Sequence, residues 1–236
     1  MLEINHLFKS FDKKEILHDV SLNVKDGEIF GFIGQNGAGK TTTIRCAVGI
    51  LDFESGHITI DGHDVLKDSL AAKRVTAYLP DNPDLYENLT CMQYLNFIAD
   101  IFEVDERTRL DRISSIAKEL GIYENLGDQI KSLSHGMKQK VAIISALMHE
   151  PRLLVLDEPF VGLDPVASFT LKKKLRELCD RGGSVFFSSH VLEVVENLCD
   201  EIAIIKSGAV IQNGRTKELL ASGHSLEELF LESAEQ

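Results

Sequence analysis

The chain has 236 residues, of which 44% are hydrophobic and 26% are charged, a composition typical of a globular protein with an ample core. Its 25 lysine and arginine residues against 37 aspartate and glutamate residues give a formal charge of −12. This charge excludes a general attraction to nucleic acid or anionic lipid. The short basic run Lys172–Lys174 with Arg176 is interpreted as the solvated face of a helix, so no nucleic-acid partner is expected.

The four cysteines show no metal-ligand spacing, which favours buried thiols in a reducing compartment. No uninterrupted apolar stretch approaches the about 20 residues that a membrane span requires. The first ten residues alternate apolar and polar side chains, and we expect no signal peptide there. Work at a membrane would therefore require docking onto another protein.

The first eighty residues alternate between strand and helix patterns. Hydrophobicity near period two predicts strands over most of the first thirty residues. The apolar run Glu28–Ile33 predicts a buried strand of a mainly parallel sheet. A helix is predicted at Lys40–Ile50, and further strands are predicted at His57–Ile60 and Arg74–Leu79.

Helical spacing replaces this pattern from residue 90 to about residue 150. Strands and helices are then predicted in alternation at Leu153–Leu156, Pro165–Asp180, Val185–Ser188, Val191–Leu198 and Ile202–Ile205. The whole predicts an α/β fold in which 1–82 and 151–236 form the core and an all-helical insertion occupies 83–150. The acidic tail from Ser225 predicts a short amphipathic helix.

The segment between the predicted strand at Glu28–Ile33 and the following helix fits the pattern G-x-x-x-x-G-K-S/T. Glycines allow the backbone to wrap a phosphate closely, and the helix start adds its positive end. We expect Lys40 to reach the terminal phosphates of ATP and the Thr41 hydroxyl to ligate Mg²⁺. The other predicted nucleotide-binding residues are Gly34, Asn36, Gly37, Ala38, Gly39 and Thr42.

The apolar strand at Leu153–Leu156 ends in two carboxylates, Asp157 and Glu158. Beside a phosphate-binding loop, Asp157 can hold the hydration shell of Mg²⁺, and Glu158 can polarise the attacking water as general base. The alternative is an ordinary acidic strand end at the surface. The phosphate-binding loop upstream favours the functional interpretation.

These motifs and the residues between them resemble the ATP-binding cassette (ABC) family over nearly the whole chain. The closest pattern is that of the bacterial export-type ATP-binding subunits, including those of ABC-2-like and Ecs-like systems. The resemblance implies a single cassette domain with a P-loop NTPase (RecA-like) core. It also implies an N-terminal antiparallel β subdomain and an inserted α-helical subdomain.

The run Leu133–Met137 reads L-S-H-G-M and is similar to the family signature L-S-G-G-Q. In the family this loop completes the nucleotide site of a partner subunit, so two ATP molecules are sandwiched in a head-to-tail dimer. The resemblance implies that Ser134 and the Gly136 N–H donate to that nucleotide. A plain helix cap is the alternative role of Ser134.

Four further segments match family positions. Val161–Asp164 resembles the loop that crosses between the two sites, and His190 resembles the switch histidine that contacts the terminal phosphate and Glu158. Phe11 falls where the family places a ring that stacks on adenine, although turn packing is its alternative. Asp81 occupies the position of a glutamine that reports Mg²⁺ to the transport partner.

Three residues depart from the family pattern. His135 replaces a glycine and adds a titratable ring where backbone normally approaches phosphate. Met137 replaces a glutamine that can contact ribose. Asp81 replaces the loop glutamine, and its carboxylate still suits Mg²⁺. Because Lys40 and the catalytic carboxylates are present, we interpret these departures as subfamily variation.

The resemblance implies an ATPase that drives export through separate membrane permease subunits and pairs with a second ATP-binding subunit. Its place would be the cytoplasm, peripheral on the inner face of the cell membrane. A soluble cassette protein acting on ribosomes or chromosomes, and a weakly hydrolysing regulatory module, are the alternatives. An apolar groove for the permease is expected from Leu85, Tyr86, Leu89 and Tyr94, with internal core packing as the alternative for these residues.

Overall fold

A computed structural model describes residues 1–12, 14–221 and 226 of the chain. The described residues form ten strands, β1 to β10, at Leu2–Phe11, Lys14–Val24, Ile29–Ile33, Ser55–Ile60, His63–Asp64, Thr76–Leu79, Leu153–Asp157, Ser184–Ser189, Glu201–Lys206 and Ala209–Arg215. They also form eight α-helices, α1 to α8, at Lys40–Ala47, Ser69–Arg74, Cys91–Ile101, Glu106–Glu119, His135–Leu147, Pro165–Asp180, Leu192–Leu198 and Thr216–Ala221. The tail helix predicted from Ser225 lies outside the described residues, apart from Leu226.

The central sheet has six strands in the order β10-β9-β3-β8-β7-β6. Strands β9, β3, β8, β7 and β6 run parallel, and β10 is antiparallel to β9 at the edge. A second sheet of four antiparallel strands has the order β2-β1-β4-β5. The predicted α/β fold with an N-terminal antiparallel sheet is confirmed.

The central sheet is buried on both faces, as the uninterrupted apolar strands predict. Along β7, Leu154 and Leu156 belong to one core cluster, formed largely with helices α3 to α7. The alternate residues Leu153 and Val155 belong to a second cluster, which the antiparallel sheet and α1 complete. The sheet therefore separates two apolar layers, and its carboxyl ends are left to carry polar side chains.

Helix α1 ends three residues before the predicted end at Ile50. Gly49 has φ of +70°, and its N–H donates to the Cys46 carbonyl while Ile50 N–H donates to the Arg45 carbonyl. These two bonds satisfy carbonyls at the helix end, and glycine adopts the left-handed conformation they need without strain. Apolar periodicity continues past this point, and for this reason the pattern overextended the helix.

The inserted helices α3, α4 and α5 share the first core cluster. Thr90 and Gln93 form a reciprocal cap at the start of α3, and Asp105 caps α4, in the manner of short polar residues before helices. Of the four residues predicted to form a groove, Leu85 and Tyr94 are buried in the core and Leu89 packs against it. Tyr86 alone is exposed, so core packing is the correct interpretation for the others.

Three of the four basic residues of the run on α6 are paired with carboxylates, namely Lys173, Lys174 and Arg176. Lys174 Nζ lies 2.6 Å from Glu119 Oε1 and 3.1 Å from Glu177 Oε2. Arg176 Nη1 lies 3.0 Å from Asp200 Oδ2. These ion pairs tie α6 to its neighbours and leave little of the positive charge that phosphate backbones attract.

A half-buried histidine lies at the end of the helical insertion. The rings of His149 and Phe102 stack with centroids 3.7 Å apart and planes 11° from parallel. His149 Nδ1 lies 3.2 Å from the Ser145 carbonyl oxygen. Burial lowers the pKa of His149 from 6.5 to about 4, with nearby Arg112 adding to the effect.

We expect this histidine to make folding sensitive to acid. Its pKa is lower in the folded chain than in the unfolded chain, so the stability it contributes is complete above pH 6.5 and is lost as the pH falls towards 4. Between pH 7 and pH 4 the wild type should lose up to about 3 kcal/mol more unfolding free energy than His149→Gln. Urea titrations at stepwise pH measure this difference. The exposed His6→Gln is the control, and parallel pH curves for His149→Gln and wild type would contradict the expectation.

Candidate functional site

The carboxyl ends of four neighbouring parallel strands gather the predicted site residues at one edge of the central sheet. In spatial order the strands are β3, β8, β7 and β6. Asp157 is the last residue of β7. Gly34 follows β3, His190 follows β8, and Asp81 lies two residues beyond the end of β6. Open α/β sheets bind ligands at this edge.

The loop between β3 and α1 depends on glycine at three positions. Gly37 has φ of +83°, and Gly39, which caps α1, has φ of +111°. Gly34 is required by close approach, because a Cβ atom there would lie 2.6 Å from the Ile205 carbonyl oxygen of β9. The Ala38 N–H donates to the Gln35 carbonyl at 3.1 Å. The loop is thus held in the wrapped form that cradles phosphate.

Lys40 joins the loop to the acidic strand end. Its side chain is buried, and Nζ donates to the Gly34 carbonyl at 2.6 Å and to the Gln35 carbonyl at 3.3 Å. Nζ also lies 3.4 Å from Glu158 Oε1. Thr41 and Thr42 follow in the first turn of α1 and are half-buried.

Asp157 is fully buried at the end of β7. Its Oδ1 accepts a hydrogen bond from the Ser188 hydroxyl at 2.5 Å. Its Oδ2 accepts none from any residue that the structure describes. A buried carboxylate oxygen without a partner is costly, and a bound cation or its water is a suitable partner.

Glu158 is held in a strained conformation beside His190. Its φ of +48° is uncommon for a residue with a side chain. The backbone N–H donates to Ser188 Oγ at 3.0 Å, and Oε2 lies 2.9 Å from His190 Nδ1. The predicted contact between the switch histidine and Glu158 is therefore present in the structure.

The signature-like run begins helix α5 on the inserted part of the chain. Ser134 caps the helix and its Oγ accepts from the Met137 N–H at 3.3 Å. A Cβ atom on Gly136 would lie 2.9 Å from the Gly162 carbonyl, and the His135 ring packs against Gly162. The run is in this way joined to the loop that follows Glu158.

Comparison with known proteins agrees with this geometry. The ABC transporter family profile matches residues 17–161. The chain is 36% identical to the linearmycin resistance ATP-binding protein LnrL of Bacillus subtilis (strain 168), over 93% of this chain and 70% of that protein. It is 35% identical to the ABC-type transporter ATP-binding protein EcsA of the same strain, over 98% of this chain and 96% of that protein.

A solved structure of an ATP-binding subunit of an ABC transporter superposes with a TM-score of 0.94 at 34% identity, covering 98% of each chain. The chain belongs to the ABC transporter family. It is an ATP-binding ABC ATPase with the P-loop NTPase fold, as the sequence motifs predicted.

Two further predicted residues of the ABC site are exposed and, among the described residues, form no hydrogen bond or ion pair with Lys40, Asp157 or Glu158. Phe11 ends β1 with 46% of its surface exposed, and Lys9 Nζ lies 5.1 Å from its ring centroid. The exposed ring is available for stacking on a base. Asp81 is exposed, and its Oδ1 accepts from the Asn82 N–H at 2.9 Å.

Sequence reasoning gave no role to two polar residues of this region. The sequence pattern places Ser188 only at the end of the predicted strand Val185–Ser188, and its contacts with Asp157 and Glu158 depend on strand register. Gln139 on α5 is fully buried, and neither of its side-chain polar atoms has a hydrogen-bond partner among the described residues. Because glutamine is usually exposed, the sequence around Gln139 did not predict that its side chain is buried.

Replacing Gly34 by alanine should disable the loop. The added Cβ would meet the Ile205 carbonyl, so the loop must shift away from β9, and displacements of this size reduce ATP turnover by about 100-fold. Phosphate release by the purified chain measures the change, with circular dichroism to confirm folding. Gly127→Ala is the matched control, because a Cβ there meets nothing within 4 Å and φ is not positive. A folded Gly34→Ala chain with normal turnover would contradict the close-approach argument.

Proposed function

We propose that this chain is the ATP-hydrolysing subunit of an export system, dimerising around two Mg-ATP and acting through separate membrane permease subunits. The observation that carries the proposal is the contact network of Lys40, Glu158 and His190 beside the buried Asp157 at one sheet edge. These groups are a phosphate-binding cation, a base with its orienting histidine, and a carboxylate suited to a hard cation.

Mg²⁺ fits the residues present. The unpartnered Asp157 Oδ2 suits a hard cation or its water, and Thr41 stands in the first turn of α1. Among the described residues no three acidic, histidine or cysteine side chains cluster as a protein-only metal site. This agrees with an ion held mainly by the nucleotide phosphates. When bound there, Mg²⁺ would neutralise part of the negative charge of those phosphates. Asp81 is the third proposed metal-facing residue.

The remaining residues divide the chemistry between them. Lys40, with the N–H groups of Gly37 and Gly39, holds the terminal phosphates, while the Ala38 N–H is used within the loop by its bond to the Gln35 carbonyl. Glu158 accepts a proton from the attacking water, and His190 fixes the orientation of Glu158 Oε2 through Nδ1. The second Glu158 oxygen, Oε1, lies 3.4 Å from Lys40 Nζ and has no hydrogen-bond partner among the described residues, so the ion pair alone attracts it towards the phosphate-binding loop.

The second half of each nucleotide site is proposed to come from another ATP-binding subunit. Ser134 and Gly136 lie at the start of α5, where helix N–H groups favour a phosphate. The family resemblance places this turn against the nucleotide of the facing subunit. We further propose that the inserted part, residues 83–150, moves as a unit when the two subunits close.

The permease is proposed to dock on the aromatic surface formed by Tyr86 and Phe97. These residues are 58% and 43% exposed, and their rings meet edge to face with centroids 5.6 Å apart. The described residues contain no helix suited to crossing a membrane. We propose that the chain lies on the inner face of the cell membrane, bound to permease subunits. The name of LnrL, a resistance protein, supports outward transport.

Glu158→Gln should retain ATP binding and lose at least about 100-fold in turnover, because the amide cannot accept the proton of water. Size-exclusion chromatography with light scattering should then show a dimer with Mg-ATP that persists in the variant. Glu193→Gln, an exposed residue at the start of α7, is the control. Unchanged turnover would remove Glu158 from the base role. A chain that stays monomeric while it hydrolyses ATP would contradict the two-subunit site.

Tyr86→Ala combined with Phe97→Ala should weaken attachment to membranes that hold the permease. An aromatic hot spot at an interface contributes about 2 kcal/mol or more, so the loss of even one of these two side chains should lower binding by at least about 30-fold. Sedimentation of the purified chain with membrane vesicles from the source cells measures this. Phe169→Ala is the control, since Phe169 on α6 is 71% exposed but lies in another element. Equal recovery of both variants would exclude this docking surface.

A further inference from the structure

One hydroxyl joins the two carboxylate residues of the site. Ser188 lies on β8 directly opposite Asp157 in the parallel register, and it is fully buried. Its Oγ donates to Asp157 Oδ1 at 2.5 Å and accepts from the Glu158 backbone N–H at 3.0 Å. The single proton of the hydroxyl is therefore committed to Asp157, and a lone pair is committed to Glu158.

The two bonds have separate consequences. Because Ser188 occupies Oδ1, the Asp157 side chain is held in one rotamer with Oδ2 left without a protein partner. Because Ser188 accepts from the Glu158 amide, it stabilises a backbone with φ of +48°, which would otherwise relax towards negative φ. Without the hydroxyl, one buried acceptor and one N–H would be unpaired.

We propose that Ser188 is a positioning residue for ATP hydrolysis, which sets the Asp157 carboxylate for Mg²⁺ and the Glu158 backbone for the base. It acts through these two residues and is separated from the nucleotide by them. The inference rests on the proposed assignment of Asp157 to the metal. Partners that orient metal-facing groups typically contribute 10- to 100-fold in metal affinity or activity.

The same strand offers a matched control. Ser184 begins β8, is fully buried, donates to the Lys25 carbonyl at 3.0 Å and accepts from the Gly27 N–H at 3.0 Å. Like the hydroxyl of Ser188, the Ser184 hydroxyl donates one hydrogen bond and accepts one from a backbone N–H, but it does so at the opposite end of the strand. Loss of either hydroxyl should cost similar folding stability, but only Ser188 should affect the metal.

The test compares wild type with Ser188→Ala, Ser188→Cys and Ser184→Ala as full-length purified chains. Cysteine keeps most of the side-chain volume with a weak donor, so it serves if the alanine variant folds poorly. Melting temperature is recorded with ATP plus EDTA, and with ATP plus increasing Mg²⁺. Turnover is measured over the same Mg²⁺ series.

Both Ser188 variants should keep the rise in melting temperature that ATP alone causes. They should need about tenfold more Mg²⁺ than the wild type for the additional rise in melting temperature and for turnover. Ser184→Ala should lower the melting temperature without changing the Mg²⁺ requirement. An equal change in Ser184→Ala, or wild-type Mg²⁺ dependence in both Ser188 variants, would overturn the proposal. A further variant, Asp157→Asn, separates the metal role of Asp157 from the positioning role of Ser188. If Asp157→Asn keeps the Mg²⁺-dependent rise in melting temperature, the metal role of Asp157 fails. If Asp157→Asn loses that rise while both Ser188 variants keep it, only the role of Ser188 fails.

Discussion

The parallel register of β7 and β8 is the constraint on which the site depends. It places Asp157, the last residue of β7, opposite Ser188, the residue before the end of β8. Burying a carboxylate without compensation costs several kcal/mol, so the sheet can carry Asp157 here only because a donor faces it. A slip of one residue would turn the apolar side chains of β7 away from their core layers and would also separate the two polar groups.

The strain at Glu158 follows from the same arrangement. The chain must turn sharply after β7 to bring a second carboxylate back towards Lys40, and the left-handed conformation of Glu158 makes that turn. Ser188 satisfies its amide and His190 contacts its carboxylate. Since both partners come from the end of β8, Glu158 is held by the same strand end that donates to Asp157. Strain of this kind persists only where neighbouring groups determine it from several sides.

Patterns close together in sequence predicted most of the fold and the core of the site. The Gly34–Thr41 loop, the five parallel strands of the central sheet and the Asp157–Glu158 pair were predicted because spacing and residue type carry the signal. Helix α2, strand β10 and helix α8 were missed, since they are short or half-exposed and show little periodicity. Burial of Leu85 and Tyr94 depends on how α3 packs against α5, and the contact of Ser188 depends on strand register. Both are long-range properties that local spacing does not contain.

The first turns of α5 connect the proposed metal edge with the proposed docking surface. Lys138 Nζ lies 2.5 Å from Glu87 Oε1, beside Tyr86, and Lys140 Nζ lies 2.6 Å from Asp164 Oδ2 in the loop after Glu158. The two loops leave the sheet from β6 and β7, which are neighbours. A displacement of either strand end therefore reaches the same helix.

His135 adds to this junction, because its ring fills the space beside Gly162 that a glycine would leave open. The departure from the family pattern thus adds a side-chain contact between the start of α5 and the loop that follows Glu158.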